Sequence, residues 1–233
     1  ACIKASVPMG TEAFMQAVLF DLDGTLVDTA PDFVLAANKL RQQLGKAPLP
    51  AAIIAAQVTN GAIAVAKLAF DADEHHADFD NYRQALLDSY QQHLGAASAP
   101  YDGLLNLLQT LEERGIAWGV VTNKPVFFAH SLMETLGIRE RCATLICPDH
   151  VKQPKPSPEG LVLAAKELGI EASRCIYVGD HLRDIEAGNA ASMSTIAVSY
   201  GYLAPDDDAN LWLADYVVQT PGELCERILH LIK

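Results

Sequence analysis

A chain of 233 residues that is 50% apolar and 20% charged is long enough for one large α/β domain, or for a core domain with a smaller insert. Its net charge of −12, with no dense Lys/Arg run, argues against nucleic-acid binding and against docking on an anionic membrane. Five cysteines without a Cys-x-x-Cys pair give no disulfide framework, and no apolar run reaches the roughly 18 residues of a membrane helix. We therefore expect a reduced, cytoplasmic protein.

The first elements of the chain are a polar leader and a short apolar strand. Residues 1–14 lack the continuous apolar stretch of a signal peptide and precede Met15, so we interpret them as a disordered extension or a remnant of expression. Residues 16–20 are apolar and end at Asp21, a pattern typical of a buried strand.

A long helical stretch follows this strand. Thr29 lies three residues before Asp32 and two before Pro31, which predicts a capped helix start. We expect residues 30–96 to form an all-helical insert without strands, with a break at Asn60-Gly61. The predicted helices cover residues 32–44, 51–69 and 78–94.

From residue 97 onward, short apolar strands alternate with helices. The predicted strands are 117–121, 143–147, 174–178, 194–198 and 216–218. The predicted helices are 103–114, 126–136, 158–168, 183–191 and 221–231. This alternation predicts βα units and an α/β fold, in which a Rossmann-like parallel sheet carries helices on both faces. We expect residues 15–29 and 97–233 to form this core and residues 30–96 to form a helical cap.

Polar side chains follow four of these segments, and ligands of open parallel sheets bind beyond the carboxyl ends of the strands. These residues are Asp21 and Asp23; Thr122 and Asn123; Lys155; and Asp180 and Asp184. Carboxylates gathered at one sheet edge repel one another and stay ionised when a cation neutralises them. Hard oxygen ligands of this kind suit Mg²⁺, which also binds substrate phosphate. The sequence therefore predicts a magnesium-dependent site for a phosphorylated molecule.

The chain resembles the haloacid dehalogenase superfamily in four motifs. They are Asp21-x-Asp23-Gly24-Thr25, Thr122, Lys155-Pro156 and Gly179-Asp180-x-x-x-Asp184. The likeness covers essentially all of residues 15–233. Residues 20–29 and 121–125 are most similar to the phosphoglycolate phosphatase group, and residues 200–215 also resemble bacterial N-acetylmuramic acid 6-phosphate phosphatases. His181 departs from the Ser or Asp often found after the Gly-Asp pair.

The resemblance implies a role for each residue of the candidate site. Asp21 looks like the nucleophile that attacks phosphorus, and Asp23 like the general acid/base. The Mg²⁺ ligands would be Asp21, the backbone carbonyl of Asp23, and Asp180, with Asp184 supporting the metal from just outside.

The remaining candidates bind or select the substrate. Thr122, Asn123 and Lys155 look like phosphate-binding residues. Asn60 and Gly61 could face the substrate from the cap, or could be only a turn.

The family resemblance leaves several functions open. The leading one is a Mg²⁺-dependent phosphomonoester hydrolase, phosphoglycolate phosphatase-like, that acts on a small phosphorylated metabolite through an aspartyl-phosphate. N-acetylmuramic acid 6-phosphate is the alternative substrate. A β-phosphoglucomutase-like isomerase and a non-catalytic binding protein are alternatives of other classes. We expect a monomer or homodimer.

Overall fold

A six-stranded parallel sheet forms the centre of the protein in the computed structural model, which describes residues 14–204 and 207–232. The sheet order is β5-β4-β1-β6-β7-β8. Its strands are β1 (Ala17–Phe20), β4 (Ala117–Val121), β5 (Thr144–Ile146), β6 (Cys175–Gly179), β7 (Ser194–Val198) and β8 (Tyr216–Val218). The short pair β2 (Val27–Asp28) and β3 (Ala99–Pro100) forms a separate antiparallel ribbon. The predicted α/β sheet is thus confirmed.

Helices cover both faces of the sheet because side chains of a strand alternate between its faces. Within β1, Val18 and Phe20 belong to one buried cluster, and Ala17 and Leu19 belong to another on the opposite face. The first cluster includes residues of α5 (Leu104–Glu113), α6 (Val126–Thr135) and α9 (Pro221–Leu231). The second includes residues of α7 (Glu159–Leu168) and α8 (Leu182–Ala190).

Four helices between β2 and β3 form what we call the helical insert. They are α1 (Ala30–Gln43), α2 (Ala51–Val58), α3 (Gly61–Phe70) and α4 (Phe79–His93). The insert has its own buried cluster, in which the rings of Phe33 and Tyr90 stack at 4.0 Å. The predicted break at Asn60-Gly61 separates α2 from α3, and Gly61 has a φ of 77°, which favours glycine.

The two chain segments that join the insert to the core are tied together. Val27 pairs with Pro100 and Asp28 with Ala99 in the β2–β3 ribbon. The buried carboxylate of Asp32 accepts hydrogen bonds from the backbone amides of residues 95, 97 and 98 and from Ser98 Oγ. A carboxylate that accepts four such bonds fixes the start of α1 to the returning chain.

This arrangement corrects one detail of the predicted helix start. Thr29 occupies the N-cap position of α1, but its side chain makes no capping bond. Its hydroxyl instead donates to Asp23 Oδ1 at 2.6 Å, and Asp32 binds residues 95–98 rather than closing a capping box. Local capping is absent because both side chains bind other groups: Thr29 binds the carboxylate of Asp23, and Asp32 binds the chain that returns from the insert.

Two further predictions concern residues 1–14 and the absence of membrane-spanning helices. The prediction for residues 1–14 falls, except for Phe14, outside the described residues. No helix in the described part of the chain has the length and apolar character needed to cross a membrane.

Candidate active site

The carboxyl ends of β1, β4 and β6 bring the predicted polar residues together. β1 lies between β4 and β6 and pairs in parallel with both. The residues just beyond these strands are Asp21, Thr122 and Asp180, and the backbone amide of Asp21 donates to Val178 of β6. Parallel pairing thus brings Asp21 together with side chains that are 100 residues or more away in sequence.

An acidic cluster lies at this edge of the sheet. Single carboxylate oxygens of Asp21, Asp180 and Asp184 lie within 4.8 Å of one another. Lys155 Nζ contacts Asp21 Oδ1 at 2.9 Å and Asp184 Oδ1 at 2.7 Å. Three carboxylates face one buried ammonium, so the cluster carries an excess of negative charge.

Burial and mutual repulsion shape the ionisation of this cluster. Desolvation raises the pKa of Asp21 above its ordinary value despite Lys155, and the nearby Asp184 adds to the rise. Desolvation also raises the pKa of Asp180 well above its usual range, followed by repulsion from Asp21 and Asp184. Burial on its own would lower the pKa of Lys155, but the carboxylates of Asp184 and Asp21 raise it above its ordinary value. The lysine is therefore charged, and the acids need further positive charge to ionise together.

The Asp180 carboxylate accepts hydrogen bonds from two loops, one after β1 and one after β7. Thr25 Oγ donates to Asp180 Oδ1 at 3.3 Å, and the backbone amide of Tyr202 donates to Oδ2 at 2.9 Å. A Cβ at Gly24, where φ is 80°, would lie 2.2 Å from Asp180 Oδ2. The glycine of the first motif is thus required by close approach as well as by backbone conformation.

Asp184 and His181 share the N-terminus of α8. Asp184 Oδ2 accepts from the backbone amide of His181 at 3.1 Å, and His181 Nδ1 accepts from the amide of Arg183 at 3.2 Å. Burial lowers the pKa of the His181 imidazole, and Arg183 lowers it further, which keeps Nδ1 available as an acceptor. His181 therefore performs the helix-capping task that a Ser or Asp performs through a side-chain oxygen.

Asp23 lies close to the cluster but has different partners. Its Oδ1 accepts from Thr29 Oγ at 2.6 Å and from Lys124 Nζ at 2.9 Å. Lys124 also donates to the hydroxyl of Tyr90, on α4 of the helical insert, at 2.9 Å. Burial raises the pKa of Tyr90 to about 12, so the phenol stays neutral in this contact. Asp23 is thereby linked to the insert through one buried lysine.

Thr122 and Asn123 occupy the loop after β4. Thr122 lines the central cavity, and its hydroxyl accepts from the amide of Lys124 at 3.2 Å. The side-chain amide of Asn123 bonds both the carbonyl and the backbone amide of Lys155, at 3.0 and 3.1 Å. The side chain of Asn123 thus holds the lysine loop. Phosphate binding by Asn123 would fall to its backbone and stays a prediction.

A cavity of about 350 Å³ separates the cluster from the helical insert. From the core it is lined by residues including Asp21, Asp23, Thr122 and Lys155, and from the insert by residues including Asn60, Gly61 and Arg83. Arg183 bridges the two sides, since its Nη2 donates to the carbonyl of Thr59 at 2.6 Å and to Thr59 Oγ at 3.1 Å. Asn60 and Gly61 therefore border the cavity, and contact with a substrate stays a prediction.

Sequence reasoning missed several residues around this cavity. Lys124 lies within the Thr-Asn-Lys-Pro segment that carries the family likeness, so a signal for it was present. Arg183 lies within the Gly179–Asp184 motif and Tyr202 within the segment 200–215 that carries a family likeness, so a signal was present for both. Tyr90 and Arg83 gave no local signal, because they reach the cavity only through folding of the insert.

The residues present fit a divalent metal. Asp21 Oδ1 is buried and has no aligned hydrogen-bond donor among the described residues, although Lys155 lies beside it. Carboxylate oxygens of this density are hard ligands of the type that Mg²⁺ prefers. A dication would supply the positive charge that the raised pKa values of Asp21 and Asp180 indicate is missing.

Comparison with known proteins assigns the chain to a family. A family model described as haloacid dehalogenase-like hydrolase matches residues 18–198. The chain belongs to this family. An N-acetylmuramic acid 6-phosphate phosphatase of Pseudomonas aeruginosa is 46% identical over 212 residues, covering 91% of this chain and 94% of the relative. A phosphoglycolate phosphatase of Xanthomonas campestris is 40% identical, covering 91% and 96%.

Solved structures of the haloacid dehalogenase-like hydrolase fold also match. The crystal structure of a predicted phosphoglycolate phosphatase from Haemophilus somnus superposes with a TM-score of 0.79 at 22% identity, covering 93% of this chain and 98% of that one. At this identity the match supports the fold alone. The prediction of a phosphoric monoester hydrolase is confirmed at the level of the family and its curated relatives.

Proposed function

We propose that this protein is a Mg²⁺-dependent phosphomonoesterase that acts on a small phosphorylated metabolite through an aspartyl-phosphate. The observation that supports the proposal is the position of Asp21, which lines the cavity with Asp23 and Lys155 and also belongs to the carboxylate cluster with Asp180 and Asp184. A nucleophile, a cation and an acid/base thus border the cavity, and the candidate metal site adjoins it through Asp21. Phosphoryl transfer depends mainly on such positioning and charge neutralisation.

In the first step, a carboxylate oxygen of Asp21 attacks phosphorus and the bond from phosphorus to the ester oxygen breaks. Asp23 donates a proton to the departing alkoxide. Lys124 and Thr29 both bind Oδ1 of Asp23, so Oδ2 would carry this proton. Lys155 and Thr122 hold the phosphate oxygens while charge shifts among them.

In the second step, the Asp23 carboxylate takes a proton from a water molecule. The resulting hydroxide attacks phosphorus, the bond from phosphorus to Asp21 breaks, and inorganic phosphate leaves. The protein returns to its starting protonation state, because the proton lost by Asp23 in the first step is regained in the second.

Asp21, the backbone carbonyl of Asp23, and Asp180 would hold the metal, with Asp184 beside them. Bound Mg²⁺ would screen the negative charge of the carboxylates and of the phosphate. Asp184 already binds Lys155, which suits it to orient the lysine as well as to support the metal. We further propose residues 30–96 as a cap that closes over the cavity and excludes water.

The substrate that the observations favour is N-acetylmuramic acid 6-phosphate. Relatives of that name from two Pseudomonas species are 46% and 45% identical to this chain. A cavity of about 350 Å³ with a partly apolar lining has room for a sugar. Phosphoglycolate is the second candidate, because relatives of that name are 40% identical.

The experiment is a panel of phosphate esters assayed with the purified protein and Mg²⁺ and ranked by kcat/KM. The panel includes N-acetylmuramic acid 6-phosphate, phosphoglycolate and glucose 1-phosphate. We expect N-acetylmuramic acid 6-phosphate to rank first and free phosphate to be the product. Conversion of glucose 1-phosphate to glucose 6-phosphate would identify a mutase instead. Binding of esters without phosphate release would identify a non-catalytic protein.

A further inference from the structure

Four cations line the cavity, and three of them have partners within the protein. Lys155 binds Asp21 and Asp184, and Lys124 binds Asp23. Arg183 binds the backbone of Thr59. The fourth cation is Arg83, for which the described residues supply neither an ion pair nor a hydrogen bond.

Arg83 lies at the end of the cavity opposite to the reacting groups. Arg83, Leu87 and Tyr90 have helical i, i+4, i+7 spacing on α4, and all three line the cavity. Tyr90 marks the reacting end, because its hydroxyl binds the lysine that contacts Asp23. Arg83 is seven residues earlier, which corresponds to about 10 Å along the helix axis.

Apolar side chains make up much of the remaining cavity lining. Phe33 and Phe128 lie beside Tyr90 at the reacting end, Leu87 lies one turn from Arg83 on α4, and Ile63 lines the cavity from α3. A ligand that spans the cavity would therefore meet Asp21 and Lys155 at one end, apolar side chains along its length, and an exposed guanidinium at the other end. A guanidinium matches the planar, two-oxygen geometry of a carboxylate.

We propose that Arg83 binds a carboxylate of the substrate and so selects phosphorylated carboxylic acids the size of a monosaccharide. This inference rests on the proposed function, which places the phosphate at Asp21. The separation of about 10 Å between Tyr90 and Arg83 along α4 disfavours a two-carbon acid, whose phosphate and carboxylate are only a few bonds apart. Arg83 is a specificity residue, since it lies far from the reacting atoms.

The test compares esters that differ at the carboxylate. N-acetylmuramic acid 6-phosphate carries it on a lactyl ether, its lactyl methyl ester keeps the bulk without the charge, and N-acetylglucosamine 6-phosphate lacks the whole group. For the unaltered protein we expect KM to be about tenfold or more lower for the acid than for the other two. The Arg83→Gln variant should lose this preference with kcat nearly unchanged, and Arg83→Lys should regain part of it.

The matched control is Arg114→Gln, which removes an exposed arginine at the end of α5. It should keep both the activity and the preference for the acid. Thermal unfolding of each variant checks that the fold is intact. An equal loss of kcat/KM for all three esters in Arg83→Gln would overturn the proposal, and so would an unaltered protein with no preference for the acid.

A binding experiment separates this proposal from the proposed function. Kd values for the acid and its methyl ester are measured on Asp21→Asn, with and without Arg83→Gln. If the unaltered protein hydrolyses none of the esters but Asp21→Asn binds the acid more tightly through Arg83, the carboxylate site stands and the phosphatase proposal fails. If hydrolysis is efficient but Arg83→Gln changes neither Kd nor KM, the phosphatase proposal stands and the carboxylate site is rejected.

Discussion

The two ends of the central cavity differ in how tightly their charges are held. At the core end, Lys155, Asp180 and Asp184 are almost fully buried, and each is bound by at least two protein groups. At the insert end, Arg83 and Asn60 are exposed, and Gly61 has no heavy atom within 4 Å of a Cβ placed on it.

We interpret this difference as a division between the proposed chemistry at the core end and the proposed selection of substrates at the insert end. Groups that must act on phosphorus need fixed positions, and burial among partners provides them. Groups that recognise the rest of the substrate can stay solvated until it binds. On this interpretation, one core could serve different substrates when the residues of the insert change.

Asp21→Asn should reduce turnover of every ester by about 10⁴-fold or more, on the scale seen when an enzyme loses its nucleophile. The fold should persist, because Lys155 keeps its contact with Asp184. Steady-state kinetics and thermal unfolding measure the two effects. Near-normal turnover in this variant would exclude covalent catalysis by Asp21.

Chelation of divalent metal should abolish activity, and Mg²⁺ should restore it. The metal-free protein should also lose stability as pH rises from about 4, because the raised pKa values of Asp21 and Asp180 mean that the folded chain binds more protons there than the unfolded chain does. Mg²⁺ should reverse this loss, since it replaces the bound protons. Thermal unfolding from pH 4 to 8, with and without Mg²⁺, provides the measurement, with Asp180→Asn as the variant that should respond weakly to the metal.

Asp23→Asn should slow hydrolysis of alkyl phosphates by about 10²–10⁴-fold, the usual contribution of a general acid/base. p-Nitrophenyl phosphate should still transfer its phosphoryl group to Asp21, because its leaving group needs no proton. We therefore expect a stoichiometric burst of p-nitrophenolate followed by slow turnover. If Asp23→Asn releases phosphate from alkyl esters at the normal rate, another group must be the general acid/base.

Arg183→Gln should have the smallest effect, a rise in KM of a few-fold for all esters alike, since it removes a charge-assisted bond between core and insert. Thr59→Val is the milder control, because it removes the Oγ contact and keeps the bond to the carbonyl. Small-angle scattering with and without phosphate would show whether the insert opens more in Arg183→Gln. An unchanged KM together with an unchanged scattering profile would show that Arg183 does not contribute to closure of the insert over the cavity.

Much of the fold was predictable because strands and helices have distinct periods. All six sheet strands and the helices around them lie within a few residues of the predicted ranges, and α9 has the predicted ends. The β2–β3 ribbon was missed, since two residues such as Val27 and Asp28 are too few to show a period.

The sequence alone determined which acids gather at the edge of the sheet, because Asp21 and Asp180 each follow a strand, Asp184 lies in the helix turn that comes next, and parallel strands end together. Asp21, Asp180 and Asp184 thus meet as their positions in the chain require. The tertiary structure alone decided where Lys124 and Arg83 lie relative to the cavity. Lys124 contacts both Asp23 and Tyr90, and Arg83 lines the cavity from α4, so both positions depend on how the helical insert packs on the core. Packing of this kind leaves no local pattern in the chain.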